Sequence, residues 1–208
     1  MMERPRIRDI LKSGVKTVFT PVTAKRESPA EHLEETALSD AERRHAAALM
    51  RINHCGEVCA QALYQGQALF ARDSQIAGAL QEAADEEIDH LSWTATRVHE
   101  LDGKLSYLNP LWYGGAFVIG AATAAISDKL SLGFVAETER QVSQHLQSHL
   151  DKLPLKDGKS RAIVKQMDID EQQHATNAIA MGGKELPEPA KKIMRLMGRV
   201  MTKTAYWV

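Results

Sequence analysis

Two copies of the motif Glu-x-x-His, Glu87 with His90 and Glu171 with His174, are the residues of this sequence with the clearest chemical potential. Residues three apart on an α-helix lie on one face, so the carboxylate and the imidazole of each motif can reach the same point. Carboxylate and imidazole together are ligands that suit iron or manganese. A single motif is more often an ordinary surface pair, but two copies, each central in a long helical pattern, favour a metal site.

Hydrophobic periodicity indicates which helix face carries the two motifs. In four segments, apolar residues recur every three or four positions, as on the buried face of a helix, and acidic or histidine residues interrupt the series. The interrupting residues are Glu57, Glu87, His90, Glu139, Glu171 and His174. The sequence therefore predicts four glutamates and two histidines at core positions of four helices.

These glutamates need a partner of opposite charge. Buried carboxylates without partners would each cost several kcal/mol, and no Lys or Arg lies near them in the apolar series. Two divalent metal ions would balance the four negative charges, and the two neutral histidines would complete the ligand set. The spacing is also duplicated, with 30 residues from Glu57 to Glu87 and 32 from Glu139 to Glu171. One Glu from each of two helices, with Glu-x-x-His from each of two others, is typical of a ferritin-like dinuclear carboxylate site.

Four further residues could contact the predicted ligands without binding a metal ion themselves. Tyr64 follows Glu57 by seven residues on the same helix face, and it is either close to the metals or an ordinary core tyrosine. His145 could reach the site only through a local bulge in its helix. Glu86 and Asp170 each precede a motif histidine by one turn and could orient its free ring nitrogen, although both fit surface positions equally well.

The elements that position these residues are predicted to be helices. Helical periodicity dominates the chain after residue 40, and no strand pattern of useful length occurs. Ser39 and Glu42 have the spacing of a capping box at the start of the first long helix. The predicted helices cover residues 40–72, 74–101, 131–153, 160–181 and 189 to the C-terminus. We therefore predict an all-α protein, with a ferritin-like four-helix bundle core and two additional helices.

Residues 105–127 contain no charged side chain and approach the length of a membrane-spanning helix. The pair Asn109-Pro110 cuts this segment near its start, however, and several glycines dilute its apolar character. We therefore expect either a buried crossover helix between two helical hairpins or a helix that contacts a membrane, rather than a span.

The composition is typical of one compact domain and not of a nucleic-acid binder. Of the 208 residues, 44% are hydrophobic, and 26 basic residues against 27 acidic ones give a formal net charge of −1. Residues 46–208 are predicted to form the domain, and residues 1–45 a variable, partly disordered N-terminal extension that could contain a short amphipathic helix. Two cysteines and a charged N-terminus without a secretory signal indicate a reducing, cytoplasmic compartment.

Five stretches of the sequence are long, specific matches to a known family. They are residues 51–58, 84–91, 109–114, 132–136 with Glu139, and 170–175. With them the chain resembles the demethoxyubiquinone hydroxylase family of ubiquinone biosynthesis, in its proteobacterial branch. The similarity covers about residue 49 to the C-terminus, whereas residues 1–45 match poorly and Cys55 stands where another small residue is expected. The resemblance implies that the six residues named above are ligands of two irons.

The resemblance also implies an O2-dependent monooxygenase that hydroxylates the ring of a polyprenylated methoxy-methyl-benzoquinol, demethoxyubiquinol. Its cofactor would be a di-iron centre and its co-substrate O2. Its reductant could be NADH, although the sequence holds no dinucleotide-binding fingerprint. Two alternatives remain for a ferritin-like protein: a quinol oxidase that reduces O2 to water, and a non-catalytic iron-storage or iron-binding protein.

The last predicted helix is basic and amphipathic. It carries five Lys or Arg residues and no acidic residue after Glu188, beside a series of apolar residues and the terminal Trp207. This pattern fits either the surface of an anionic membrane or a capping helix with a solvated basic face. Because a polyprenylated quinol resides in a membrane, we expect a peripheral protein on the cytoplasmic face of the bacterial cell membrane. The expected partners are that quinol, the membrane surface, and a second copy of the chain or another ubiquinone-biosynthesis protein, but no nucleic acid.

Overall fold

A computed structural model of the chain describes residues 7–208. This part of the chain forms seven α-helices and contains no strand, so the predicted all-α class is confirmed. The helices are α1 (Ile7–Phe19), α2 (Asp40–Phe70), α3 (Ser74–Glu100), α4 (Asn109–Ile126), α5 (Asp128–Lys152), α6 (Gly158–Ala180) and α7 (Glu188–Ala205). Helices α2, α3, α5, α6 and α7 begin and end within three residues of the predicted positions.

Local capping signals set several of these helix ends. Ser39 is the N-cap of α2: its side chain accepts a hydrogen bond from the backbone N–H of Glu42, and the Glu42 carboxylate accepts one from the backbone of Ser39. The side chains of Asp73 and Ser127 cap α3 and α5. After α6, Gly182 adopts a φ of +100°, a left-handed conformation that favours glycine. The predicted capping box is therefore confirmed.

Two helical hairpins, α2 with α3 and α5 with α6, form the four-helix core. The apolar side chains between them divide into two clusters at opposite ends of the bundle. Met50 and Val164 belong to one cluster, and Leu80 and Leu132 to the other. Burying one such aliphatic side chain stabilises the fold by about 1.5–3 kcal/mol. The layer between the two clusters is polar, and the six predicted ligands occupy it.

Helix α4 crosses from the first hairpin to the second and lies against α2. The backbones of α2 and α4 touch, because a Cβ atom on Gly66 would overlap the Phe117 carbonyl oxygen and one on Gly120 would overlap the Leu63 carbonyl oxygen. The opposite face of α4 is open, and Val118 there is 64% exposed. The crossover helix is thus not buried, since it packs against the bundle on one side only. Among residues 7–208, no helix combines the length and the apolar character that a membrane crossing requires.

Substituting Gly120 with alanine is expected to destabilise the protein by about 1–3 kcal/mol, because α2 and α4 must move apart to admit the added methyl group. The control is Gly114→Ala on the same helix, where an added Cβ meets no atom within 4 Å. That change should raise stability by up to about 1 kcal/mol through helix propensity. Denaturant unfolding measures both, and equal stability of the two variants would contradict the close packing of α2 and α4.

Residues 20–39 contain no helix and lie across the bundle, and we call them the N-terminal strap. Ala30 and Leu38 of the strap are buried in one apolar cluster, and Glu35 accepts hydrogen bonds from Arg97 of α3. The strap follows α1, which is the short helix expected in the extension. The division of the chain at residue 45 and the disorder of part of the extension stay predictions, and residues 1–6 lie outside the part described.

Candidate metal centre

The bundle brings the six predicted ligands together in the polar layer between its apolar clusters. They are Glu57 on α2, Glu87 and His90 on α3, Glu139 on α5, and Glu171 and His174 on α6. Each has a relative exposure of 6% or less. Ligand atoms of four of them, Glu57, Glu87, His90 and Glu171, lie within 4.8 Å of one another, a spacing that could hold a metal ion.

Glu87 and Glu171 form the centre of this cluster, because each directs one oxygen towards each histidine. Glu87 Oε2 lies 2.9 Å and Glu171 Oε1 3.2 Å from His90 Nδ1. Glu87 Oε1 lies 3.2 Å and Glu171 Oε2 3.3 Å from His174 Nδ1. Glu57 belongs to the His90 side, with its Oε2 3.7 Å from His90 Nδ1. The cluster therefore has two sides, one at each histidine, which share two central carboxylates.

Glu139 and Tyr64 complete the His174 side. The Tyr64 hydroxyl donates a hydrogen bond of 2.7 Å to Glu139 Oε1, and the Tyr64 ring meets the His174 ring edge-on with 6.3 Å between centroids. Burial, with the negative charge of Glu139 nearby, raises the pKa of Tyr64 well above its usual value, so the hydroxyl keeps the proton that it donates. The sequence suggested that Tyr64 is either an ordinary core tyrosine or a neighbour of the metal site. In the structure it is buried in the core and also contacts the cluster.

Several buried polar atoms of the cluster have no hydrogen-bond partner of adequate geometry in the described chain. They are Glu87 Oε1, Glu139 Oε2, both carboxylate oxygens of Glu171, and His174 Nδ1. A buried polar atom left without a partner costs about 1–3 kcal/mol, so this site is suited to a group that accepts lone pairs. A divalent cation is such a group, and carboxylate oxygens with imidazole nitrogens are donors that fit iron and manganese.

The charges in the cluster also favour the binding of divalent cations. Burial, together with repulsion from Glu87, raises the pKa of Glu57 well above its usual value, and burial with repulsion from Glu171 does the same for Glu139. Burial alone would lower the pKa of His174, but its contacts with Glu171 and Glu87 raise it to about 12. Glu57 and Glu139 thus hold protons that bound metal ions would replace.

The outer nitrogen of each histidine pairs with a carboxylate from the opposite motif. His90 Nε2 lies 2.9 Å from Asp170 Oδ2, and His174 Nε2 lies 2.7 Å from Glu86 Oε2. From the sequence, these carboxylates could equally orient a histidine or lie at the surface, and the histidine considered was the one on the same helix. The pairing is crossed because a residue adjacent to an inward-facing glutamate points sideways, towards the neighbouring helix. Both bonds place a proton on Nε2 and leave Nδ1 to face the cluster.

The N-terminal strap adds a contact that the sequence did not predict. Arg26 donates from Nη2 to Asp170 Oδ2 at 2.9 Å and from Nε to Asp89 Oδ2 at 2.7 Å. Burial alone would raise the pKa of Asp170, but hydrogen bonds from His90 and Arg26 lower it to about 2. These partners lie 144 and 63 positions from Arg26, so no local pattern in the sequence could connect them.

His145 does not reach the cluster. Helix α5 is regular from Glu139 to His145, and six residues of regular helix turn a side chain about 120° away. The His145 ring lies instead 4.0 Å from the ring of His149, one turn further along the helix. The geometry therefore gives His145 no place beside the metal ligands.

These two histidines should make the protein sensitive to acid. Burial, aided by nearby positive charge, lowers the pKa of His149 to about 2 and that of His145 to about 4, so both stay neutral in the folded state while the unfolded chain gains protons below pH 6.5. Above pH 6.5 the two histidines do not lower the unfolding free energy. As the pH drops from 6.5 towards its folded pKa, each histidine lowers the unfolding free energy by about 1.4 kcal/mol per pH unit. We expect the unfolding free energy of His149→Gln to vary less steeply between about pH 4 and 6.5 than that of the wild type. Parallel curves would contradict the neutral buried state of His149.

A pocket of about 330 Å³ opens beside the His174 side of the cluster. Its lining is mainly apolar, with residues such as Leu80 and Val135. Its polar lining residues are Tyr64, Glu82, Glu86, His174 and Asn177. A mainly apolar pocket of this size with a few polar groups is typical of a small-molecule site. It gives a molecule from outside a route to the His174 side of the cluster.

Known proteins resemble this chain over most of its length. A protein of Nitrosospira multiformis named 3-demethoxyubiquinol 3-hydroxylase is 57% identical to it over 195 residues, which are 94% of each chain. Proteins of the same name are 55% identical over 196 residues in Nitrosomonas europaea, covering 94% of each chain, and 63% identical over 171 residues in Ralstonia pickettii, covering 82% of this chain and 79% of the relative. The longer alignments reach into the first 45 residues, where the sequence led us to expect little similarity.

The family comparison covers the site as a whole. The model of the family described as ubiquinone biosynthesis protein COQ7 matches residues 44–205, which include all six predicted ligands and, except for the first turn of α2, the helices that carry them. The chain therefore belongs to the ubiquinone biosynthesis protein COQ7 family.

Proposed function

We propose that this chain is a 3-demethoxyubiquinol 3-hydroxylase, an O2-dependent monooxygenase that hydroxylates the ring of a polyprenylated methoxy-methyl-benzoquinol. Relatives that are 57% and 63% identical carry that name, and the family is one of ubiquinone biosynthesis. The observation that carries the proposal is the buried cluster of glutamates and histidines, whose unpaired atoms suit redox-active metal ions.

Two iron ions are the proposed cofactor. Glu57 and His90 would hold one ion, Glu139 and His174 the other, and Glu87 and Glu171 would bind both, because each directs oxygens to both sides. Two divalent ions would balance the charge of the four carboxylates. When bound, iron supplies the redox chemistry that activates O2.

The protein's own side chains hold the ligand atoms in place and keep water away. Asp170 and Glu86 hold the Nε2 protons of His90 and His174, so the Nδ1 lone pairs face the cluster. Tyr64 holds the carboxylate of Glu139 in place by donating a hydrogen bond to it. The apolar clusters on both sides of the polar layer exclude solvent, which strengthens electrostatic interactions inside it.

The quinol ring is proposed to bind in the pocket beside His174. Tyr64 and Glu86 are the polar groups there that could contact the ring hydroxyls, while Leu80 and Val135 would contact its apolar substituents. Hydroxylation replaces a ring C–H with C–OH using one oxygen atom of O2, and the second atom becomes water. Two electrons and two protons are therefore needed, and we propose that NADH supplies the two electrons and one proton and that the solvent supplies the other proton.

The test uses purified protein reconstituted with ferrous iron, a reductant and a soluble, short-tailed demethoxyubiquinol. We expect a product heavier by one oxygen atom that derives from isotope-labelled O2, and about two iron ions per chain. O2 consumption without a change in the mass of the quinol would indicate a quinol oxidase instead. A large shell-like oligomer with many irons per chain and no turnover would indicate iron storage.

Peripheral attachment to an anionic membrane is the proposed way in which the enzyme reaches its polyprenylated substrate. On α7, Ile193 and Leu196 are exposed, as is Val118 on α4. Two of the five basic residues of α7, Lys191 and Arg195, pair with acidic groups of the chain itself. The remaining three, Lys192, Arg199 and Lys203, are proposed to meet anionic headgroups on the cytoplasmic face of the bacterial cell membrane.

Cosedimentation with vesicles tests this attachment. The wild type is expected to bind anionic vesicles more strongly than neutral ones, and a triple variant with glutamine in place of Lys192, Arg199 and Lys203 should lose that preference. Equal binding of both proteins would contradict the proposal. If the exposed apolar residues of α4 and α7 instead contact a second copy of the chain or another ubiquinone-biosynthesis protein, the wild type should bind neither anionic nor neutral vesicles.

A further inference from the structure

The two sides of the cluster differ in what covers them. On the His174 side, the side chain of Glu86 is 54% exposed and borders the pocket, and in residues 7–208 no Lys or Arg side chain contacts it. On the His90 side, the equivalent carboxylate, Asp170, is only 12% exposed and lies beneath the N-terminal strap. One side is therefore open and the other is closed by a basic residue.

Arg26 of the strap is held firmly in place over the closed side. Both oxygens of the buried Asp89 bind the strap: Oδ1 accepts from the backbone N–H of Lys25 at 2.6 Å and of Arg26 at 3.4 Å, and Oδ2 accepts from Arg26 Nε. The guanidinium also lies 4.9 Å from the centre of the Trp93 ring, a distance at which cation and ring attract each other. These contacts leave Nη2 directed at Asp170 Oδ2, 2.9 Å away, with His90 Nε2 further off at 3.5 Å.

Asp170 Oδ2 is shared between two donors. It accepts from Arg26 Nη2 at 2.9 Å and lies 2.9 Å from His90 Nε2. A carboxylate that accepts a hydrogen bond from a histidine ligand sets the direction of the imidazole ring and raises the basicity of the imidazole. A cation bound to the same carboxylate oxygen reduces this increase in basicity. His90 and His174 should therefore differ as ligands, although both belong to a Glu-x-x-His motif.

We propose that Arg26 is a positioning residue for the metal ion at His90, and that it acts through Asp170. This inference rests on the metal site of the proposed function. Arg26 fixes the side chain of Asp170, which fixes the ring of His90, and it makes the His90 position distinct from the His174 position. The strap thereby contributes to the metal site without supplying a ligand.

Iron release to a chelator and Mössbauer spectra of the ferrous-loaded full-length protein test the proposal. Arg26→Met is expected to release one of the two iron ions about 10-fold faster and to shift one of two spectral components. Arg26→Lys, which keeps the charge, should restore part of the wild-type behaviour. The control Lys25→Met removes an exposed pair with Asp85 and keeps the backbone bond to Asp89. A second control, Glu35→Gln, weakens the strap at its other end without touching Asp170.

Both controls are expected to retain wild-type release rates and spectra. The proposal is overturned if Arg26→Met matches the wild type in release and spectrum, or if Glu35→Gln has the same effect as Arg26→Met, since the strap alone would then explain the result. A wild type that binds no iron would overturn the proposed function and this inference together. A wild type that binds two irons and hydroxylates quinol, with Arg26→Met unchanged, would overturn only the role of Arg26.

Discussion

Replacing Glu171 with alanine is expected to abolish quinol hydroxylation and to lower the iron content below about one ion per chain. The reason is its position, because Glu171 directs Oε1 to the His90 side and Oε2 to the His174 side, 3.2 Å and 3.3 Å from the two Nδ1 atoms. Removing it would take a ligand from both proposed metal positions at once. Activity is measured by the mass of the quinol product, and iron by elemental analysis.

The matched control for this variant is Gln172→Ala on the same helix. Gln172 is exposed and bonds to Asp168, away from the cluster, so iron content and turnover should be those of the wild type. The metal-free form of Glu171→Ala should keep the helix content of the metal-free wild type in circular dichroism, because the apolar clusters on both sides of the polar layer are unchanged. This measurement separates loss of ligation from misfolding. Intact iron content and intact turnover in Glu171→Ala would exclude the proposed site.

Replacing Arg97 with methionine is expected to destabilise the protein by about 3–5 kcal/mol, a large fraction of the stability of an ordinary domain. The Arg97 side chain is 1% exposed and donates to Glu35, Glu100, Ser160 and the fully buried Asp157. Without it, Asp157 remains as a buried charge without a cation. Denaturant unfolding measures the loss, and thermal unfolding should show a fall in Tm of about 6–20 °C.

A second substitution separates the buried charge from the lost packing. In the double variant Arg97→Met with Asp157→Asn, the uncharged asparagine can still cap α6, so part of the stability should return. The control Arg43→Met removes an exposed pair with Asp102, which should contribute less than about 1 kcal/mol. Equal losses for Arg97→Met and Arg43→Met would contradict the importance of the buried network around Arg97.

The sequence alone predicted the helices and the six residues of the cluster, because both rest on local signals. The capping pair Ser39 and Glu42 acts across a single turn, and its effect on α2 does not depend on the rest of the chain. The inward faces of the four helices follow from the period of the apolar residues. A charged or imidazole side chain inside such a face, as at Glu57 or Glu139, is costly enough to indicate a shared partner.

Supporting residues were harder to predict, because their partners lie on other elements. Glu86 and Asp170 were found as orienting carboxylates, but each pairs with the histidine of the opposite motif. Helix spacing could not show this, because it describes neighbours within one helix only. His145 was expected to need a bulge to reach the site, and helix α5 contains none there.

The all-α class, the bounds of the main helices and the helix faces that carry the cluster could be inferred from the sequence, since each depends on interactions within a few turns of helix. The contact between Arg26 of the strap and Asp170, 144 positions away, could be found only in the folded chain. The same holds for the packing of α4 on α2 through Gly66 and Gly120, which leaves the other face of α4 open. Which side of the cluster is covered, and which opens to a pocket, also depends on the folded chain. Contacts of this kind join distant parts of the chain, and their geometry is set by how whole helices pack, so no spacing within the sequence encodes them.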